Sequence, residues 1–295
     1  MSKKSRKNVL IIGASGFVGQ ALTRLLSSTR QKLFLVSRKK SFKAKGTKVY
    51  YGDLNSLNFC RRILKDIDVV YYLAGYKKNI AWHVNKPWEF INGNVWPLLS
   101  FLEALKDSRV KTLIYLSTTH VKYVGLKEKS IDGYALGKYL SELALKSFAK
   151  KSAIDIKIVR SAVIYGPGDN FNPREANFIP AMIRRIAESE QELIVWGRGL
   201  RKLQFIYIDD LTANLAKALN AKKSLLIVGD SRPATINQIV GKILKLFKKE
   251  LLIRHDQTKP DKQTKLNVFK NLVKPEVDID QGLKKTINYY KKING

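Results

Sequence analysis

Apolar residues fall along this chain in short clusters separated by stretches of helical spacing. Val9-Leu-Ile-Ile12 is a β-branched and aliphatic run of the kind that forms a strand buried on both faces, and Gly13 ends it. Phe17 to Ser28 follows with helical periodicity, and the alternation then repeats. Strands are predicted at residues 32–37, 47–51, 67–73, 111–117 and 155–160, with helices at 57–64, 95–105 and 134–150. Strands alternating with helices predict a parallel, doubly wound α/β sheet with right-handed crossovers.

After Tyr165-Gly-Pro-Gly168 the rhythm changes to mixed elements. Helices are predicted at 176–188, 211–220, 235–248 and 281–292, and short strands at 193–196, 204–208 and 225–228. The Gly-Pro-Gly turn is the natural boundary. It divides the chain into a first domain, 1–166, and a smaller α+β lobe, 167–295, whose elements can return to the first domain.

Composition narrows the class. The chain has 295 residues of which 45% are apolar, enough to fill a core, so disorder is excluded. The single cysteine, Cys60, reads as a small core residue and removes multi-cysteine metal sites. Of the three histidines, His83, His120 and His255, none pairs with another on one helical turn, so no metal site is expected. The apolar run after the basic N-terminus stops at Gly13, and no later segment reaches about 18 uninterrupted apolar residues. A soluble, cytoplasmic protein is expected.

Charge is the unusual feature: 55 Lys+Arg against 24 Asp+Glu, a net +31. Such an excess attracts phosphate in a nonspecific, salt-sensitive way, and it raises the alternative of a nucleic-acid-binding protein. Yet 40 of the basic residues are Lys and only 15 Arg, and no basic block interleaves with aromatics, so no specific nucleic-acid partner is expected. Thirteen of the excess charges lie in the first fifty residues, which contain no acid. The rest read as a solvated surface that can steer an anionic small molecule or associate weakly with an anionic membrane.

Those fifty residues hold Gly13-Ala14-Ser15-Gly16-Phe17-Val18-Gly19 at the junction of the first strand and first helix. The first glycine permits a tight turn, the second lets backbone amides approach a pyrophosphate, and the third lets helix and strand pack closely. This is the cofactor turn of a Rossmann-type sheet with G-x-x-G-x-x-G spacing. The second strand ends at Ser37 and Arg38 rather than at the carboxylate that holds the ribose of NAD, which favours NADP over NAD. Asp53, followed by Leu54, is placed to meet an adenine amino group, and Leu73-Ala74-Gly75 is small where backbone must pass the cofactor.

Tyr134 and Lys138 stand one helical turn apart on one face. A cation beside a phenol, joined by an oxidised nicotinamide, lowers the phenol pKa toward a usable acid/base range. Spacing alone selects nothing, because the chain contains two Tyr-x-x-x-Lys pairs, about the chance number for 13 tyrosines and 40 lysines. The other, Tyr123 with Lys127, contains Gly125 in a turn-like stretch, whereas Tyr134 opens a clean helical pattern. Hydroxyls at Ser117, Thr118 and Thr119, where the fifth strand ends, can hold a substrate oxygen against Tyr134.

Taken together, these residues resemble the extended short-chain dehydrogenase/reductase family, in its NAD(P)-dependent nucleotide-sugar epimerase, dehydratase and reductase branch. The resemblance spans nearly the whole chain and also draws on Asn94-Val95, Arg160, Phe205-Ile-Tyr-Ile-Asp209-Asp210, Val228-Gly229-Asp230 and Gly282-Leu283. It implies Tyr134 as acid/base, Lys138 as holder of the nicotinamide ribose, Thr118 as the group that orients the sugar oxygen, with Thr119 the alternative, and Asn94 at the cofactor. It further implies hydride exchange at a sugar carbon, often C4, and a homodimer formed through two helices beside the sheet.

The departures are specific. Thr119 and His120 stand where 4,6-dehydratases carry an Asp-Glu pair, which disfavours dehydration; Leu203 replaces an Arg that contacts the diphosphate, leaving Arg201, Lys202 or Arg232 for that role; Val163 replaces an Asn. A 4-epimerase or a 4-ketoreductase of a nucleotide sugar is expected. Reduction of a non-sugar carbonyl is compatible with the same catalytic pair.

Overall fold

The computed structural model describes residues 6–78, 85–124, 132–173, 175–258 and 266–294. Its first elements are β1 (Asn8–Ile12), α1 (Phe17–Ser27), β2 (Lys32–Ser37), β3 (Lys48–Tyr51), α2 (Leu57–Leu64), β4 (Val69–Tyr72), α3 (Pro87–Leu105) and β5 (Thr112–Thr118). A short 3-10 turn, Thr119–Tyr123, leads on to α4 (Gly133–Ala149), β6 (Asp155–Ser161) and β7 (Val163–Tyr165). The remainder comprises α5 (Phe178–Glu188), β8 (Glu192–Trp196), β9 (Lys202–Leu203), β10 (Phe205–Tyr207), α6 (Ile208–Ala218), β11 (Leu225–Val228), β12 (Ala234–Thr235), α7 (Ile236–Phe247), β13 (Leu252–Asp256) and α8 (Ile279–Asn294).

The main sheet has seven strands in the order β11-β6-β5-β4-β1-β2-β3. From β3 through β5 every neighbouring pair is parallel. This is the Rossmann-type doubly wound arrangement the strand-helix alternation predicts. The chain winds outward from β1 to β3 and then returns to β4 on the other side of β1, so the carboxyl end of β1 is the topological switch point where such sheets bind ligands.

The sheet is buried on both faces, as an all-apolar β1 requires: Val9 through Ile12 are fully buried. One face packs Leu10, Ile12, Val70, Tyr72, Leu113 and Tyr115 against apolar residues of α2 and α3. Each buried side chain of this kind contributes about 1.5–3 kcal/mol. Helix α2 shows how sequence sets the packing: Ser56 caps its N-terminus by accepting the Phe59 N–H at 3.3 Å, and Phe59, Cys60, Ile63 and Leu64 form its buried stripe. Cys60 is thus a core residue, its thiol pushed up to about 12 by burial, with the charge of Asp53 second.

Several elements differ from expectation: the short strands β7, β9 and β12 were not predicted, α6 begins at Ile208 rather than 211, and three further differences bear on the architecture. Helix α3 starts at Pro87, eight residues before the predicted 95, and runs through Gly93 and Pro97. Both residues disfavour helix locally, but packing of Phe90, Asn94, Leu98 and Phe101 into the interior outweighs propensity. Residues 225–228, grouped by sequence with the C-terminal part, form the edge strand of the main sheet beside β6. Strand β13 pairs in parallel with β8 and has an exposed, weakly patterned sequence that gave no strand signal.

By internal contacts the chain forms two compact units, Met1–Arg160 with Thr212–Leu226, and Ser161–Leu211 with Ile227–Gly295. Among the described residues, no helix is long and apolar enough to cross a membrane, and no group of three or more His, Cys, Asp or Glu could hold a metal ion.

Candidate active site

In the first unit, the glycine turn sits where β1, β2 and β4 end together. Gly13 has φ +84°, and a Cβ there would lie 2.8 Å from the Ala74 backbone nitrogen. A Cβ on Gly19 would lie 2.2 Å from the Gly13 carbonyl oxygen, so α1 can approach β1 only because this residue is glycine. Both Gly13 and Ala14 donate backbone N–H groups to the Val36 carbonyl, locking the turn to β2.

Gly16 is the exposed N-cap of α1, which begins with Phe17 and Val18. No side chain caps this helix and no acid lies in its first turn. Its N-terminal N–H groups and positive dipole end therefore suit an anion. The residues present fit a dinucleotide pyrophosphate: the protein needs Gly13 and Gly19 for its own packing, and it leaves the N-terminus of α1 uncapped.

Ser37 is buried at the end of β2. Its hydroxyl lies 2.9 Å from Ser15 Oγ and accepts the Lys39 N–H at 2.9 Å, tying β2 to the glycine turn, while Arg38 beside it is exposed. Asp53 is exposed and accepts the Asn55 N–H at 3.0 Å, whereas Leu54 is in the core. Leu73 and Ala74 are half-buried beyond β4, and Gly75 is exposed. A Cβ on Gly75 would stand 3.0 Å from Asn94 Oδ1 and 3.2 Å from Lys138 Nζ, so this glycine, the asparagine and the lysine meet at one point.

Helix α4 presents Tyr134 and Lys138. Its N-cap, Asp132, accepts the Ala135 N–H at 3.1 Å, and a Cβ on Gly137 would lie 2.8 Å from the Phe90 carbonyl oxygen, so α4 packs tightly against α3. Lys138 is only 5% exposed. Its ammonium donates to the Leu116 carbonyl at 3.0 Å and the Tyr115 hydroxyl at 3.3 Å, and lies 4.7 Å from the Tyr115 ring centroid. Burial lowers its pKa to about 7; Glu142 opposes this and Lys77 adds to it. With the protein's own groups alone, the Tyr134 phenol is held above its ordinary range, first by burial and then by Asp132. Burial and Asp132 thus outweigh any lowering that the Tyr-Lys spacing suggests.

Thr118 and Thr119 are both buried where β5 ends, and Thr118 Oγ1 accepts the His120 N–H at 3.3 Å, which leaves its hydroxyl proton to donate elsewhere. Of the rival pair, Tyr123 belongs to the 3-10 turn and Lys127 lies outside the described residues.

Three side chains were given no site role by sequence reasoning: Tyr115 on β5, Glu142 on α4 and Arg160 on β6, which surround Lys138 or tie its neighbours together, while the Ser117 hydroxyl, expected among those facing a substrate oxygen, is spent on Glu142. Ser117 donates to Glu142 Oε1 at 2.6 Å, and Arg160 binds both carboxylate oxygens, with its shortest contact 2.6 Å. The available signal was Glu142 itself, a charged residue one further turn along the Tyr134-Lys138 face.

Arg201 and Arg232 lie in the second unit. Arg201 is half-buried, and its carbonyl accepts the Ile236 N–H at 3.2 Å. Arg232 lines a cavity of about 310 Å³ with Tyr165, Tyr207, Asp210, Asp230 and Asp278. Its guanidinium is held by Asp230, with Nε to Oδ1 at 2.9 Å. Burial raises the Asp230 pKa, but the bonds and charge from Arg232 outweigh it and leave the carboxyl below its ordinary value.

The fold and the site together define an NAD(P)-dependent enzyme. The sequence profile of the NAD-dependent epimerase/dehydratase family matches residues 9–229, and the chain belongs to that family. It is similar to a UDP-glucuronate 4-epimerase of Thermodesulfobacterium geofontis, with 28% identity over 85% of this chain and 81% of that one. It is also similar to a dTDP-4-dehydro-6-deoxy-D-allose reductase of a Streptomyces species, with 22% identity over 86% of this chain and 85% of that one. Among solved structures, UDP-glucose 4-epimerase of Thermotoga maritima with UDP-glucose matches with a TM-score of 0.85 at 22% identity, covering 98% of this chain and 100% of that one.

Proposed function

We propose that this protein interconverts an alcohol and a ketone at a sugar carbon of a nucleotide sugar, as a 4-epimerase or a 4-ketoreductase. The observation that carries this reading is the anchoring of Lys138 to Leu116 and Tyr115, one turn after Tyr134 and beside Gly75 and Asn94. A bound NAD(P) supplies or accepts the hydride. Gly13, Ser15, Gly16, Phe17, Val18 and Gly19 would hold its pyrophosphate; Asp53, Leu54, Leu73, Ala74, Gly75 and Asn94 would flank it; Lys138 would hold its nicotinamide ribose. During reduction Tyr134 gives its phenolic proton to the oxygen of the carbonyl whose carbon receives the hydride, and it takes that proton back during oxidation. Thr118, or Thr119 as the alternative, donates a hydrogen bond to the same oxygen. Arg201 and Arg232 are the candidates for the substrate diphosphate.

NADP is the favoured cofactor in this reading, because β2 ends without an acid and Arg38 is exposed where a 2′-phosphate would lie. The protein is taken as a cytoplasmic homodimer: Trp88, Trp96 and Leu99 on α3 and Leu143 on α4 are exposed on the two helices beside the sheet. Its basic surface adds at most a weak electrostatic attraction to membranes.

Two measurements test the reading. Denaturing the purified protein and identifying any released dinucleotide separates the reactions: stoichiometric NAD supports an epimerase, and an empty protein that prefers NADPH supports a reductase. Tyr134→Phe should abolish turnover with the cofactor still bound, and retained activity would sink the assignment.

A further inference from the structure

We infer that Tyr115 is a positioning residue that acts through Lys138: its buried hydroxyl and the Leu116 carbonyl fix the lysine nitrogen so that the one remaining bonding direction faces Gly75 and Asn94.

Tyr115 lies on β5 in the apolar face of the main sheet and is 1% exposed. Its ring packs against that of Tyr72, with 5.7 Å between the centroids. A phenylalanine would serve that packing equally well, and a hydroxyl taken out of water costs free energy unless it is hydrogen-bonded. The Tyr115 hydroxyl has such a bond, accepting from Lys138 Nζ at 3.3 Å. The same nitrogen donates to the Leu116 carbonyl at 3.0 Å and stands 4.7 Å from the centre of the Tyr115 ring. Held by the backbone carbonyl alone, the nitrogen could swing about that bond. The hydroxyl supplies a second fixed point.

The valence of the amine then decides what is left for a ligand. Nζ is tetrahedral, with one bond to Cε; two positions point to Tyr115 and Leu116 on β5, and one remains. A Cβ on Gly75 would stand 3.2 Å from Nζ and 3.0 Å from Asn94 Oδ1, and Gly75 is exposed, so the remaining position faces the open side beyond β4. The two anchors need only two hydrogens, so they hold whether Nζ carries three protons or two. In the first state the free position is an N–H donor and in the second a lone pair, and a ribose hydroxyl can pair with either.

This inference rests on the reading of Lys138 as the group that holds the nicotinamide ribose, and its test needs no nucleotide sugar. Protein freed of dinucleotide is titrated with NADPH and with NADH, followed by cofactor fluorescence, and the cofactor that binds the wild type more tightly is used for the variants. Tyr115→Phe, which keeps the ring and its packing and removes the hydroxyl, should weaken binding by about fivefold. The same substitution made in Lys138→Met should change affinity by less than about twofold, because the hydroxyl then has no amine to position. Unchanged affinity in Tyr115→Phe, or an equal loss in both backgrounds as a merely structural role would give, overturns the inference while leaving Lys138 at the ribose. If Lys138→Met binds the cofactor as tightly as the wild type, the reading of Lys138 fails and the positioning role falls with it, so the two failures are told apart.

Discussion

Asn94 holds both backbone polar groups of Tyr76: its Oδ1 accepts the Tyr76 N–H at 3.2 Å, and its Nδ2 donates to the Tyr76 carbonyl at 3.0 Å. The same amide also donates to Phe90 O at 2.8 Å within its own helix. A buried side chain on α3 thereby fixes the course of the segment just past Gly75. Replacing Asn94 with Ala strands these groups and should cost about 2–3 kcal/mol, read by urea unfolding. It should also weaken NAD(P) binding by calorimetry. Unchanged affinity in the folded variant would remove this segment from the cofactor site.

Gly16 and Gly19 should respond differently to Ala. A Cβ at Gly19 would collide with the Gly13 carbonyl oxygen, but at Gly16 its nearest contact is that same oxygen at 3.3 Å. Gly19→Ala should lower stability by about 3 kcal/mol or more. Gly16→Ala should change it by less than about 1 kcal/mol while weakening the cofactor, because it obstructs the approach to the uncapped α1 terminus. Thermal melts paired with fluorescence titration of NADPH separate the two effects.

Selectivity between cofactors should depend on Arg38. The Ser37 hydroxyl is engaged with Ser15 and Lys39, and the Arg38 guanidinium is the first exposed cation after β2, followed by Lys39 and Lys40. Arg38→Ala should reduce the NADPH over NADH preference by about tenfold, corresponding to ~1.4 kcal/mol for one charge-assisted contact. Comparing kcat/KM for the two cofactors checks this, and an unaltered ratio would refute a role for Arg38.

Lys138 should also leave a signature in stability. Its pKa is about 7 in the fold against 10.5 ordinarily. Between those values the unfolded chain binds a proton that the native state lacks, so stability rises with pH across this window. Below pH 7 the destabilising effect of the buried ammonium is fully present. In protein without added nucleotide, the unfolding free energy of the wild type relative to Lys138→Met should therefore climb from pH 7 toward 10, with a slope approaching ~1.4 kcal/mol per unit. A flat difference would show that Lys138 is not held near neutrality.

The homodimer reading predicts that a charge on the apolar face of α3 prevents assembly. Trp96 is 57% exposed, and Trp96→Asp should give a monomer by analytical ultracentrifugation while leaving the far-ultraviolet circular dichroism unchanged. A wild type that sediments as a monomer would dispose of the reading at once.

How much of this was legible in advance follows from the range of the forces involved. The run Val9–Ile12, the alternation of strand and helix, and the spacing of Gly13, Gly16 and Gly19 are local properties. Pleat, helical period and the close approach of α1 to β1 depend on residues a few positions apart, so the chain alone determined the doubly wound sheet and the place of its glycine turn. Locality also bears on α3, whose predicted start at 95 left out the two turns from Pro87 that buried Phe90 and Asn94 hold in the helix. It explains equally why 225–228 was recognised as a strand while its place beside β6 was not.

The surroundings of Lys138 belong to the other category. Tyr134 and Lys138 could be paired by their spacing, but the Leu116 carbonyl, the Asn94 amide and the Arg160 guanidinium reach their positions only when β4, β5 and β6 lie side by side. The state of Lys138 is therefore set first by burial and by partners such as the Leu116 carbonyl, 22 residues away, with Glu142 the one influence that spacing along the chain could register. Sequence periodicity decided where the strands and the glycine turn lie, and the crossover connections decided which charges meet at their ends, because electrostatic environment depends on distance in space and on exclusion of water.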